Sequence, residues 1–423
     1  MPINNYAHKK YLLLNLIHHL GPISRTELSL LTDYRPASVS AIVKNLLDEG
    51  LVIETGYASN GPGRKRTLLE MNKDYLCAIG LSFSPHHIFY LVSQVDGTVL
   101  YQSKTPMDSS APKEVLVSAV LEQVAALLKE FSAKKIVGIG ISEPPYDPAL
   151  YHPTDSLTEN YTHFNSWVHQ QLQPKLEDLS GLPVLTYSGV TMPAVAEYRF
   201  GVAKGIQNFI CVELSNGIGA SICCNGIPVS GADGKAAELG HTVIDYSDRR
   251  QKLCYCGKPG CIETSTAFPA LAARISRAMD DGVLSALNSY PHRKDGITIQ
   301  AIRWALDMDD PMCMYYVKDV AIRLGVAISN AVNLLNPKMV VLYGFMVELG
   351  DFFLQELERS IRENVFAPLK NFEIRVSDST ETLFPLGAVA EIYSSFFQQD
   401  NYRWVYQLNP DDYHDSASEH ENI

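Results

Sequence analysis

One imidazole and three thiols stand close together past the middle of the chain. His241 is followed by Cys254, Cys256 and Cys261, the cysteines lying within Cys254-Tyr255-Cys256-Gly257-Lys258-Pro259-Gly260-Cys261-Ile262-Glu263. Three thiolates and one imidazole are a donor set for tetrahedral Zn²⁺. Gly257 and Gly260 let the chain turn tightly enough for the sulfurs to converge. With four protein ligands no position is left for a reactive water, so the expected Zn²⁺ is structural and holds a loop that has no core of its own. The other five cysteines, Cys77, Cys211, Cys223, Cys224 and Cys313, are scattered through apolar runs. They read as small buried hydrophobes, and the chain is no disulfide scaffold.

A second group of side chains suits phosphate. Gly61-Pro62-Gly63-Arg64-Lys65-Arg66 joins two short apolar runs, Leu51–Glu54 and Thr67–Glu70. Three helical patterns precede that basic turn. The first runs from Lys9 to Leu20, with Leu12, Leu13, Leu16, Ile17 and Leu20 on one face. Ser24 with Glu27 is a capping box for a second, short helix. Pro36 opens a third, whose apolar face is Val39, Ile42, Val43, Leu46 and Leu47 and which Gly50 ends. Three helices and a basic hairpin in this order predict a winged helix-turn-helix, residues 1–72. Its third helix would enter the major groove and its wing would touch the backbone. Candidate DNA contacts are Arg35, Ala37, Ser38, Ser40 and Lys44 on the helix, and Arg64, Lys65 and Arg66 on the wing.

Charge must be apportioned before it bears on such a partner. The 423 residues carry 35 bases and 47 acids, a net charge of −12. That balance argues against nucleic acid, since phosphate neutralisation needs clustered cations. The first seventy residues nevertheless hold eight bases against six acids, so a +2 end is attached to a −14 body. The last fifteen residues hold five acids and no Lys or Arg, an acidic tail placed at 401–423. No internal repeat is visible. No signal-peptide pattern and no apolar run long enough to span a bilayer is present. A cytoplasmic protein with no membrane partner is expected.

From Tyr75 onward strands alternate with helices, the pattern of an α/β fold. Three strands read as a meander from Tyr75 to Lys104, followed by a long amphipathic helix, a buried strand through Lys134–Ser142, a helix from Trp167 to Leu179, the strand Pro183–Ser188 and a helix ending near Gly201. A strand pair then turns through Gly217-Ile218-Gly219. The last parts are a helix over 311–336, the strand Lys338–Gly344 and the helix 352–365.

Four blocks in this region resemble the ROK family (repressors, open reading frames and sugar kinases). They are NGIGASICCNGIPVSG, AAELGHTVID, CYCGKPGCIET and LNPKMVVLYG, and the winged helix resembles the repressor branch. The resemblance runs from about Lys9 to Ser395. It implies an actin-like (ribonuclease H-like) fold of two lobes: residues 73–189 with a returning helix at about 386–398, and residues 190–385 carrying the zinc loop. It implies that one ring nitrogen of His241 binds zinc while the other faces a sugar hydroxyl, and that Glu238, His241 and Glu263 contact the ligand. Ser188, at the position of the family's sugar-holding Asn, is the fourth expected ligand position. The loop between His241 and Cys254 is longer than the family's usual one.

Two departures from the kinases are expected to remove catalysis. Gly189 stands where the general base, an Asp, belongs, and glycine accepts no proton. Ser82-Phe83-Ser84-Pro85-His86 replaces the Asp-x-Gly-Gly-Thr phosphate loop, and Pro85 lacks a backbone N–H. The Gly217 turn alone is weak evidence for nucleotide. The expectation is therefore no enzyme but a repressor that binds double-stranded operator DNA as a homodimer or homotetramer. Its non-catalytic ROK domain would sense a sugar or sugar-derived effector. His86, His87, Arg249 and Arg250 are possible partners for an anionic effector. The alternative is a sugar kinase with an accessory DNA-binding domain, which needs a substitute base such as Glu143 or Asp147.

Overall fold

The computed structural model describes residues 5–58, 66–84, 87–108, 111–143, 168–232, 234–244, 253–291, 296–379 and 382–397. Arg64, Lys65, Pro85, His86, Asp147, Trp167, Arg249, Arg250 and the tail 401–423 lie outside them.

The amino-terminal unit follows the sequence signals closely. Helix α1 (Asn5–Leu20) buries the expected stripe, Leu12, Leu13, Leu16, Ile17 and Leu20. A two-residue strand, β1 (Ile23–Ser24), leads into α2 (Arg25–Thr32). The capping box is present on both sides: the Glu27 N–H donates to Ser24 Oγ at 3.3 Å, and the Ser24 N–H donates to Glu27 Oε2 at 2.7 Å. Asp33, in the left-handed region at φ 55°, ends α2. Helix α3 (Pro36–Asp48) starts on Pro36, whose missing N–H costs nothing in a first turn. Strands β2 (Val52–Ala58) and β3 (Arg66–Met71) form the wing, and β1 pairs with β3 to give the order β1-β3-β2. A two-residue strand carries too little pattern to be read from sequence.

The first lobe is a five-stranded sheet. Strands β4 (Leu76–Phe83), β5 (His87–Gln94) and β6 (Val99–Pro106) form the antiparallel meander. After α4 (Lys113–Glu130), β7 (Lys135–Glu143) returns parallel to β4. A π-helical turn, Val168–Leu172, then precedes α5 (Gln173–Ser180), where one helix from Trp167 was expected. Pro174 accounts for the break, because it donates no hydrogen bond to the preceding turn. Strand β8 (Val184–Ser188) adds parallel to β7, giving the order β6-β5-β4-β7-β8.

Helix α6 (Met192–Arg199) leads to a second sheet of the same design. Strands β9 (Phe209–Leu214), β10 (Ile218–Cys224) and β11 (Ile227–Pro228) run antiparallel. The β9–β10 turn is Ser215-Asn216-Gly217, with Gly219 already inside β10, a small correction to the expected turn. Helices α7 (Phe268–Asp280), α8 (Ile299–Asp307) and α9 (Pro311–Leu335) follow, of which α7 and α8 were not expected. Strand β12 (Met339–Tyr343) then lies parallel to β9, and after α10 (Asp351–Asn364) β13 (Glu373–Val376) joins β12. The order β11-β10-β9-β12-β13 repeats that of the first lobe.

The last helix, α11 (Leu383–Phe397), is buried over most of its length and packs on α6, β4 and β7. Its close approach to β4 requires Gly80: a Cβ there would lie 2.3 Å from the Pro385 carbonyl oxygen. Gly80→Ala is therefore expected to cost ~1–3 kcal/mol through backbone displacement, a lowering of several degrees in a thermal melt. At its far end α11 meets α1. Asn15 Nδ2 donates to the Phe397 carbonyl at 2.5 Å, and the His18 ring stacks on Phe397 with centroids 4.3 Å apart. Burial pushes the His18 imidazole down to about 3, so it is neutral at this contact. The winged-helix core, α11 and the inner faces of both sheets form one continuous apolar cluster.

Candidate functional site

The metal-ligand candidates converge as their spacing predicts. A 3₁₀ turn, Leu239–His241, presents the imidazole, and isolated bridges Val243–Cys261 and Leu253–Pro259 fold the cysteine loop back beside it. Gly257 and Gly260 sit at φ 84° and 83°, a region costly for other residues, and this closes the loop between Cys256 and Cys261. The donor atoms of His241, Cys254, Cys256 and Cys261 all lie within 4.8 Å of one another. His241 Nδ1 is 3.5 Å from Cys254 Sγ, and Cys256 Sγ is 3.5 Å from Cys261 Sγ. Tetrahedral coordination by thiolates needs edges of about 3.5–3.8 Å, so these residues fit a metal ion.

The protein's own groups favour neutral thiols at two of the three cysteines. Burial pushes the Cys254 thiol up to about 12 and also raises Cys261. Partial burial works against ionisation of Cys256 as well, yet the Lys258 backbone N–H and the neighbouring thiols hold it below its usual value. Three such sulfurs become thiolates together only around a cation. Burial, helped by Lys258, lowers the His241 imidazole and keeps it in the neutral, ligating form.

The ligand-facing expectations fare unevenly. His241 Nε2 lies 2.9 Å from the Tyr255 hydroxyl and 3.8 Å from Glu238 Oε2. The nitrogen expected to meet a sugar therefore meets a tyrosine of the cysteine loop, a partner the sequence reading missed. Glu238 is exposed beside it. Glu263 Oε2 accepts the Ile218 N–H at 3.0 Å and so ties the metal loop to the start of β10. That backbone N–H is thereby engaged within the protein. Ser188 ends β8 with its buried Oγ making no hydrogen bond among the described residues. Ser82 is buried at the end of β4, and Ser84 closes the β4–β5 connection through both polar groups of the His87 backbone.

Lobe 1 contains a pair of which the sequence reading noticed only half. Glu143 ends β7 nearly buried, and its Oε1 lies 2.7 Å from Nε2 of His169, on the π-helical turn. Burial raises the Glu143 carboxyl, with His169 opposing the shift.

Arg35, Ala37, Ser40 and Lys44 are exposed on or just before α3, Ser38 is half-buried, and Arg66 is exposed at the start of β3. The other described bases of this unit have internal partners. Lys9 lies over the Tyr34 ring at 4.9 Å, Lys10 pairs with Glu49 at 2.5 Å and Arg25 with Glu54 at 2.8 Å. Arg35, Lys44 and Arg66 form no ion pair among the described residues.

A model of the ROK family matches residues 78–390. The chain is 30% identical over 396 residues to the xylose repressor of Caldicellulosiruptor bescii, covering 93% of this chain and 97% of that one. It is 27% identical over 348 residues to the DNA-binding transcriptional dual regulator NagC of Escherichia coli K12, covering 82% of each. Among solved structures, a ROK family transcriptional regulator described as a homologue of the E. coli MLC protein matches with a TM-score of 0.75 at 23% identity. That match covers 93% of this chain and 97% of the other, and it bears on the fold.

Proposed function

The chain belongs to the ROK family, and from that membership we propose that it is a DNA-binding transcriptional repressor whose ROK domain senses a carbohydrate. The observation that carries this reading is the continuous core from α1 through α11 to both sheets. A change in lobe closure moves α11, and α11 holds α1 by the Asn15 and His18 contacts. The reader and the sensor are thus one mechanical unit.

The reader is residues 1–72. Arg35, Ala37, Ser38, Ser40 and Lys44 face DNA, with Arg64, Lys65 and Arg66 on the wing. The sensor divides at about residue 189 into two lobes, and the effector lies between them, against Glu238, His241 and Ser188. Glu263 works through its hold on the Ile218 N–H. Zn²⁺ is the metal that three thiolates and an imidazole select. When bound, it fixes the loop; the chain's own residues do the recognition. A homodimer or homotetramer sets two α3 helices on half-sites ~34 Å or a multiple apart. No described helix is long and apolar enough to cross a membrane.

The names of a xylose repressor and of an N-acetylglucosamine repressor of Escherichia coli O6:H1, 27% identical over 348 residues, give the first effectors to try, D-xylose and N-acetyl-D-glucosamine. Fluorescence anisotropy on the protein's own upstream DNA is expected to show tight, salt-sensitive binding that one of these sugars weakens. Absence of any such binding, with and without sugar, overturns the reading.

A kinase remains the second reading because Glu143 keeps a buried carboxyl at a strand end. Gly189 and the Ser82-Phe83-Ser84-Pro85-His86 segment in place of a phosphate loop oppose it. Sugar-dependent ADP release is expected to stay ~10²–10⁴-fold below that of a ROK kinase, the cost of a missing base. A coupled assay that detects turnover near kinase rates would revive it.

A further inference from the structure

We infer that the Tyr255 hydroxyl is a built-in competitor of the effector: it holds the imidazole N–H that the effector needs, and an oxygen of the effector has to displace it. This rests on the sensor reading given above, in which His241 meets the ligand.

The two nitrogens of His241 have separate tasks. Nδ1 lies on the sulfur side, 3.5 Å from Cys254 Sγ, an edge length that suits the metal site. With a metal on Nδ1 the ring proton sits on Nε2, and the neutral imidazole has that single N–H to donate. Nε2 is 2.9 Å from the Tyr255 hydroxyl, within hydrogen-bond distance. Its other neighbour, Glu238 Oε2, is 3.8 Å away, too far for a direct bond. One N–H serves one well-aligned acceptor, so the phenol oxygen and a ligand oxygen exclude each other at this point.

The tyrosine is placed to give way without disturbing the loop. Its neighbours on both sides, Cys254 and Cys256, belong to the cluster that fits the metal, so the backbone stays where the metal holds it. The side chain is half-buried and stands edge-on to the imidazole, with ring centroids 5.0 Å apart and planes at 81°. A change of χ1 rotamer therefore frees Nε2 while the four ligands remain in place. What is given up is one hydrogen bond between neutral groups at a side chain 17% exposed. What replaces it must bring an oxygen lone pair to the same point, which a sugar hydroxyl does and a deoxy position does not. Tyr255 thus makes a hydroxyl at that point a condition of tight binding.

Calorimetric titration of the full-length, zinc-loaded protein with D-xylose and with N-acetyl-D-glucosamine tests the displacement. Tyr255→Phe keeps the ring and removes the competing oxygen. It is expected to bind the effector ~2–10-fold more tightly than the wild type, the worth of one net hydrogen bond, with its zinc content unchanged. A tyrosine that merely braced the imidazole would leave affinity equal or lower it. A second measurement reads the movement itself. In protein carrying 3-fluorotyrosine, the fluorine resonance absent from Tyr255→Phe identifies this residue among the 22 tyrosines. That resonance is expected to shift at saturating sugar. Equal or weaker affinity in the variant, or a resonance that sugar leaves in place, overturns the competitor assignment and leaves the sensor reading intact. A wild type that binds neither sugar overturns both.

Discussion

Replacing Cys256 by Ser is expected to strip the bound metal and lower the melting temperature by about 10 °C. The cluster loses its one thiol held below its usual value, and serine supplies no thiolate. Two sulfurs and one imidazole remain, and the apparent binding energy of a structural zinc site, ~10–16 kcal/mol, falls steeply with the missing ligand. Loss of a metal is among the few single changes that exceed ~4 kcal/mol. At ~2–4 °C per kcal/mol for units of this size, that gives the stated shift. The consequence reaches the sensor, because the metal loop carries Glu263, and Glu263 holds the Ile218 N–H at the start of β10. The variant should therefore also lose its response to sugar while the winged helix, which ends 184 residues before Cys256, still binds DNA. Cys224→Ser is the control, since Cys224 is a free cysteine outside the cluster. Metal analysis of both variants decides: one equivalent of zinc retained by Cys256→Ser would sink the ligand assignment.

What the sequence disclosed and what it hid divide along physical lines. The capping box, the Pro36 start and the cysteine spacing are local, and each survives unchanged in the structure. The two lobes share one strand order, yet no internal repeat is visible in the residues. Buried strands tolerate any apolar side chain of suitable volume, so topology persists where identity does not. The Tyr255–His241 contact was hidden for another reason. It depends on where a loop folds back, and Tyr255 between two metal ligands looks like a spacer. His169 gave no signal either, since its partner is 26 positions earlier across a strand and a turn. The family resemblance supplied the roles of His241 and Ser188; the structure added what occupies the nitrogen of the first and what is missing around the oxygen of the second.

The double variant Arg35→Ala, Lys44→Ala is expected to flatten the salt dependence of operator binding more than any change in the acidic body. Each contact to phosphate contributes ~0.9 to the slope of log affinity against log salt. If both side chains touch phosphate in each half of a dimer, four contacts vanish and the slope falls by about 3.6. The ratio of wild-type to variant affinity then shrinks ~100-fold between 50 and 200 mM salt, and the two proteins converge at higher salt. These two bases are the ones to remove because they stand exposed with no ion pair among the described residues, whereas Lys10 and Arg25 are committed to Glu49 and Glu54. The −14 body cannot compensate, as its field repels the duplex. Lys129→Ala, at the exposed end of α4, removes the same charge from the body and should leave the slope unchanged. Equal slopes for the double variant and the wild type would mean that Arg35 and Lys44 do not touch phosphate, and the charge contacts would then have to come from the wing. A slope change near 1.8 in place of 3.6 means two lost contacts, and the single variants then separate a monomeric reader, in which each costs ~0.9, from a dimer in which one side chain alone costs ~1.8.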